Sequence, residues 1–248
     1  MSKLARRLKN ISDTATPAVG FRAGMTAVKH QGPVLIAIVA RDIKSARVAV
    51  DSGADAVLVE ACPEKDLTDI AGAVPTAPCG IIQNDKTTDL GAMKFTGIDF
   101  LVFSPANAPA SWLKLDGPAK IAKVPANVEP HALRGIERVG VDGVLLDRSE
   151  DIEFVSVEFL MNCHYLKGAL SKPLLAALPS GASAEDVVDL WDAGIDGFVI
   201  DAGPEVLRSI SKTILGLAPR AKRKDNKTTP LVPRISTSSA EEDEEEGG

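Results

Sequence analysis

Four residues of the 248-residue chain combine a reactive side chain with an apolar setting. Glu60, Asp147 and Asp201 each close a run of apolar residues, and Lys123 interrupts one, lying between Ile121-Ala122 and Val124. Carboxylates that converge out of bulk water repel one another, so one holds its proton as a general acid while another stays ionised as a base. The same groups can share a divalent cation such as Mg²⁺ through oxygen ligands. An ammonium in such a place must reach water, find a carboxylate or give up its proton. Freed of its proton it forms a Schiff base with a carbonyl substrate; charged, it stabilises a developing enolate. Plainer readings stand beside these: the acids cap helices or pair with Arg41 and Arg148, and Lys123 sits at a strand edge in a structural ion pair.

The elements that position these residues show themselves as a repeat. Gly53-Ala54-Asp55-Ala56-Val57-Leu58-Val59-Glu60 recurs as Gly97-Ile98-Asp99-Phe100-Leu101-Val102-Phe103-Ser104, Gly140-Val141-Asp142-Gly143-Val144-Leu145-Leu146-Asp147 and Gly194-Ile195-Asp196-Gly197-Phe198-Val199-Ile200-Asp201. Each copy reads as a helix end closed by a left-handed Gly, a turn containing Asp, and a buried strand finishing on a polar residue. Four further apolar strands lie between them, at 34–40, 79–83, 121–124 and 174–178. Helical segments are expected at 42–52, 63–73, 86–95, 129–139, 150–170, 183–193 and 204–217. After the fourth strand, residues 109–116 leave room for barely two turns. Eight strands apolar on both faces, alternating with helices, predict an α/β fold, a closed (β/α)8 barrel; an open doubly wound sheet is the alternative. Strand alternation places Glu60, Asp147 and Asp201 on the same face as the small residues Ala56, Gly143 and Gly197, which suit a narrow barrel interior.

The chain resembles the TIM-barrel enzymes over about residues 33–218, and Ser52-Gly53-Ala54-Asp55-Ala56-Val57-Leu58-Val59-Glu60 looks like the strand entry of phosphate-binding and FMN-linked barrels. The resemblance implies a site at the carboxyl ends of the strands, with Glu60, Lys123, Asp147 and Asp201 as catalytic candidates. It also implies an anion held by the turns after strands seven and eight. Those turns here are Pro179-Ser180-Gly181-Ala182-Ser183 and Asp201-Ala202-Gly203-Pro204-Glu205, so Ser180, Gly181 and Gly203 are the candidates for binding a phosphate or the phosphate of FMN. Pro204 removes a donor and Glu205 adds a negative charge, while Ser183 with Asp186 also reads as a plain helix cap.

Cys62, before Pro63, is expected at a helix N-cap, where the helix dipole favours its thiolate and Glu60 opposes it. An inert half-buried thiol is the plainer reading. His30, His131 and His164 have no partners at useful spacing and receive no catalytic role.

Composition excludes collagenous, disulfide-framework and wholly disordered chains: 45% of residues are hydrophobic, 25% charged, and three are Cys. Cys62, Cys79 and Cys163, odd in number and without metal-ligand spacing, suit a reducing, cytoplasmic setting. The longest apolar run, 33–40, is strand-sized, so no membrane helix is expected, and the basic start lacks the apolar core of a secretory signal. Leu4, Leu8 and Ile11 suggest a short amphipathic helix. The expected organisation is an N-terminal helix and lead-in over 1–32, the barrel over 33–218, and a disordered basic-then-acidic tail over 219–248. The tail carries six Lys/Arg and seven Asp/Glu of a formal net charge of −6, which leaves −5 on the body and no electrostatic reason to bind nucleic acid. The block Glu241–Glu246 either contacts a basic partner or acts only as a solvating tail. Homo-oligomerisation is left open. Three functions fit: an enzyme of lyase or isomerase type acting on a small carbonyl or carboxylate metabolite, an FMN-dependent oxidoreductase, or a noncatalytic barrel serving as a binding or assembly module.

Overall fold

The computed structural model describes residues 2–14, 32–40, 42–60, 62–83, 97–148, 152–218 and 220. Eight parallel strands close into a barrel in chain order: β1 (Val34–Val39), β2 (Ala56–Glu60), β3 (Cys79–Gln83), β4 (Phe100–Phe103), β5 (Ala119–Pro125), β6 (Gly143–Asp147), β7 (Leu174–Leu178) and β8 (Gly197–Ile200). The ring is completed by β8 pairing with β1, Val34 opposite Gly197. Around it run α2 (Ile43–Asp51), α3 (Glu64–Ala73), α4 (Pro130–Arg138), α5 (Val157–Ala169), α6 (Ala184–Asp192) and α7 (Pro204–Gly216), with α1 (Lys3–Thr14) at the start of the chain. The closed ring settles the choice against the open sheet. The helix expected at 86–95 and the tail from 221 onward lie outside the described residues. None of the described helices is long and apolar enough to cross a membrane.

Each strand divides its residues between two cores, as alternation requires. Val57, Val59, Val144, Leu146, Phe198 and Ile200 face the helices, whereas Ile36, Ala56, Leu58, Ile121, Leu145 and Val199 fill the barrel. The interior is tight: a Cβ on Gly80 would stand 2.3 Å from the Phe100 ring, so the bulkiest interior side chain fits because its neighbour has none. Leu4 and Leu8 of α1 join the interior cluster, and α1 is fixed by Asp99, whose carboxylate accepts from the Ser2 hydroxyl and the N–H groups of Lys3 and Leu4.

The Asp of the repeat thereby acquires a structural role at the amino ends of the strands. Asp55, Asp142 and Asp196 each donate their N–H to the carbonyl of Leu35, Lys120 or Leu174 and accept that same residue's N–H on their carboxylate. Such two-point clamps set the strand register. Asp99 keeps the backbone bond, to Cys79, but gives its carboxylate to α1. Asp196 is fully buried and also holds Lys167 and Arg220, each at 2.8 Å. Arg220 lies 3.6 Å above the Trp191 ring and donates to the carbonyls of Trp191 and Ile195. Burial pushes its guanidinium below the usual value while Asp196 acts in the opposite sense. Arg220 thus belongs to the folded body, past the boundary expected at 218.

Other expectations are adjusted. Gly53, Gly97 and Gly194 are left-handed, with φ of 98°, 82° and 105°, but α4 ends in extended backbone at Val139 and Gly140 is not left-handed. A single 3₁₀ segment, Ala110–Lys114, follows β4. β5 begins at Ala119, two residues before the expected start, and α5 begins at Val157, because Ser156 caps it by accepting from the Phe159 N–H.

Burial pushes the thiols of Cys79 and Cys163 up to about 12. At pH 8 their thiolate population is then lower than that of a free Cys by a factor on the order of 10³. Both are expected to resist a thiol-specific reagent in native buffer and to react within minutes in guanidinium; rapid native labelling, mapped by mass spectrometry, would contradict the burial.

Candidate active site

The carboxyl ends of the strands form the end of the barrel opposite the Asp clamps. Glu60, Lys123, Asp147 and Asp201 all share the parity of interior residues: Glu60 follows Leu58, Lys123 follows Ile121, Asp147 follows Leu145 and Asp201 follows Val199. Alternation predicts this parity for the three acids and leaves the direction of Lys123 open. Their distribution around the rim is uneven. In an eight-membered ring β2 and β6 stand four strands apart, so Glu60 and Asp147 face each other across the barrel, and Asp201 stands past the end of β8, exposed like Glu60. Among the described residues no group of three or more His, Cys, Asp and Glu side chains is arranged to hold a metal ion. The idea that Glu60, Asp147 and Asp201 share one Mg²⁺ is corrected accordingly.

The pair the structure does bring together is Lys123 and Asp147. The β5–β6 register sets Lys123 opposite Leu145 and Pro125 opposite Asp147, and the long lysine side chain spans the two-residue offset. Its Nζ lies 2.9 Å from Asp147 Oδ2, with the two side chains 25% and 37% exposed. A lysine held by a carboxylate is arranged as a proton donor and a stabiliser of negative charge; Schiff-base chemistry first requires breaking that pair.

A cavity of about 360 Å³ opens against Asp147, over the ends of β5, β6 and β7. Asn127, Arg148, Ser156, Glu158 and Asn162 supply its other polar groups, with Phe154 and Phe159 among its apolar walls. Arg148 Nη1 donates to the Ile152 carbonyl at 2.6 Å, which ties the end of β6 to the segment before α5. Residues 152–156, expected as helix, are non-helical here; 150 and 151 lie outside the described residues. The Ser156 cap with Glu158 in the first turn was the available signal for a later helix start.

A larger cavity, about 640 Å³, lies outside the barrel between α4 and the segment after β4. It is lined by Phe103, Leu113, Ala122, Val124 and Ile136, with Lys123 among its polar groups, and it exists because the short 3₁₀ segment covers less of β4 and β5 than a full helix would. Pro125 and Asn127 line both cavities.

The two turns proposed for an anion are unequal. After β7, Ser183 and Asp186 form a capping box, Ser183 N–H to Asp186 at 2.8 Å and Asp186 N–H to Ser183 Oγ at 3.1 Å, so these donors already have an acceptor. After β8, α7 starts at Pro204 with Gly203 as its N-cap and no side-chain cap bond. Ser180, Gly181 and Gly203 are exposed. Cys62 is buried and precedes the N-cap of α3, which is Pro63, so the expected capping position is displaced by one residue.

No family model matches the chain, and no characterised protein matches it by sequence. Solved structures do match. The tryptophan synthase α subunit of Legionella pneumophila covers 88% of this chain and 100% of its own at 11% identity and a TM-score of 0.60. A mutant tryptophan synthase α-subunit of Pyrococcus furiosus covers 75% and 99% at 14% identity and 0.56. The N-(5′-phosphoribosyl)anthranilate isomerase of the same organism covers 75% and 100% at 15% identity and 0.53. At such identities the likeness establishes the TIM-barrel fold.

Proposed function

We propose that the chain is a TIM-barrel enzyme of lyase or isomerase type that moves a proton next to the carbonyl of a small oxygenated metabolite. The observation that carries this reading is the Lys123–Asp147 pair at 2.9 Å on the carboxyl rim, where Asp147 lines the cavity of about 360 Å³, within the size range of small-molecule sites, and Lys123 lines the adjoining cavity of about 640 Å³. Asp147 is the base that takes the proton. Lys123 stabilises the oxyanion that forms as the carbonyl becomes an enolate, and Arg148, on the same cavity, favours a substrate bearing a carboxylate. Glu60 and Asp201 are assigned to returning the proton on the other side of the mouth. A tryptophan synthase α subunit and a phosphoribosylanthranilate isomerase share the architecture, which supports the kind of reaction and leaves the substrate open.

Ligand-induced thermal stabilisation tests the site. A compound present at 100 times its Kd stabilises the folded state by about 2.7 kcal/mol, which raises Tm by about 5–10 °C in a chain of this size. At least one small keto or hydroxy acid of a panel is expected to do so for the native chain and to lose the effect in Asp147→Asn. A panel without stabilising members, or shifts unchanged in the variant, contradicts the assignment.

A further inference from the structure

Helix α5 is apolar on two sides. Phe159, Cys163 and Leu166 are buried against the barrel, while Val157, Met161 and Tyr165, four residues apart in turn, point away from it at 74%, 65% and 49% exposure. Phe154, before the Ser156 cap, extends the stripe at 67%. A surface helix ordinarily turns one polar face to water, and one that is apolar all round belongs inside an assembly.

We infer that two copies of this chain pair through the outer faces of antiparallel α5 helices, with Met161 at the two-fold axis. The exposed fractions of the four side chains amount to roughly 400 Å² of largely apolar surface, taking roughly 150 Å² as the mean for two aromatic and two aliphatic side chains. A standard interface buries about 800 Å² per partner, of which somewhat over half is apolar, so one stripe supplies the apolar centre of such a dimer. The pattern is also self-complementary. Positions equally far from Met161 meet across the axis, which sets Val157 against Tyr165 of the second copy. Phe154 meets Gly168, an exposed glycine with no atom within 4 Å of where its Cβ would stand, so a ring can lie flat on the helix backbone. Glu158 and Tyr165 occupy the same flank of the helix, and antiparallel pairing brings the Tyr165 hydroxyl to the Glu158 carboxylate of the second copy twice, once on each side of the axis. Phe154 and Glu158 also line the rim cavity, so the second copy adds to its outer wall.

Sedimentation of the full chain at tens of micromolar tests the pairing. The native chain, 26.0 kDa, is expected to sediment at twice that mass. Met161→Arg sets two guanidinium groups against each other on the axis and is expected to weaken association at least about 30-fold, with native-like circular dichroism and a melting curve that matches the native chain's once both are diluted to monomer. Tyr165→Phe and Glu158→Gln preserve shape; each is expected to loosen the dimer about tenfold, and the double variant no further than either single one. A native chain that stays monomeric, a dimer that survives Met161→Arg, losses that multiply in the double variant, or adsorption to lipid vesicles in place of self-association would each overturn the inference.

Discussion

Lys123→Met is expected to lower kcat/KM for the substrate that the ligand panel identifies by 10²–10⁴-fold while leaving Tm within about 3 °C of the native value. The large kinetic effect follows from removing the charge that stabilises the enolate oxygen, a loss felt in the transition state and little in the ground state. The small thermal effect follows from the exposure of the pair: an ion pair in contact with water contributes at most about 1 kcal/mol, and methionine keeps most of the aliphatic stem. Asp147→Asn is expected to fall in the same range. Because Asp147 and Lys123 act as a unit, the double variant should be no worse than the poorer single one. Steady-state kinetics of the three variants decide the matter; a threefold loss in Lys123→Met, or multiplying losses in the double variant, would reduce the pair to a structural bridge.

Asp196→Ala carries the largest expected cost in stability, about 3–5 kcal/mol, or a fall in Tm of about 10–15 °C. The carboxylate is fully buried, and its loss leaves Lys167 and Arg220 without the anion between them and the Leu174 N–H without its acceptor. Arg220→Ala removes one ion pair and the stacking on Trp191, and is expected to cost less because Lys167 still neutralises Asp196. Thermal and denaturant unfolding of both variants check the order. A shift below about 3 °C for Asp196→Ala would show that the cluster balances its own desolvation without adding stability.

The barrel was legible because its signal is repeated. Four copies of Gly-x-Asp followed by an apolar strand, with four apolar runs between them, specify eight buried strands, and period-two alternation specifies which side chains enter the interior. Glu60, Asp147 and Asp201 were placed on the interior parity by that rule, and adjacency of β5 and β6 made a Lys123–Asp147 contact foreseeable. Alternation along a strand carries no information about separation around the ring, so the opposition of Glu60 and Asp147 across the barrel was out of reach until closure was known. The role of Asp99 in fixing α1 was hidden for a similar reason, since its partners lie more than ninety residues away. The start of α5 was set too early because Ile152, Phe154 and Val155 carry the apolar character of the helix upstream of its cap, and these residues line the rim cavity instead. Arg220 looked like the first residue of a basic tail; only the buried Asp196 and the Trp191 ring give it a place in the fold.

Proton transfer beside a carbonyl leaves a mark even when the product is unknown. In D₂O the native chain is expected to exchange a carbon-bound hydrogen adjacent to the carbonyl of each compound that stabilises it, read by proton NMR as a disappearing signal, and Asp147→Asn is expected to abolish the exchange at matched occupancy. Exchange that continues undiminished in Asp147→Asn, or no exchange in any compound the native chain binds, would contradict a proton-transfer site at the ends of β5 and β6.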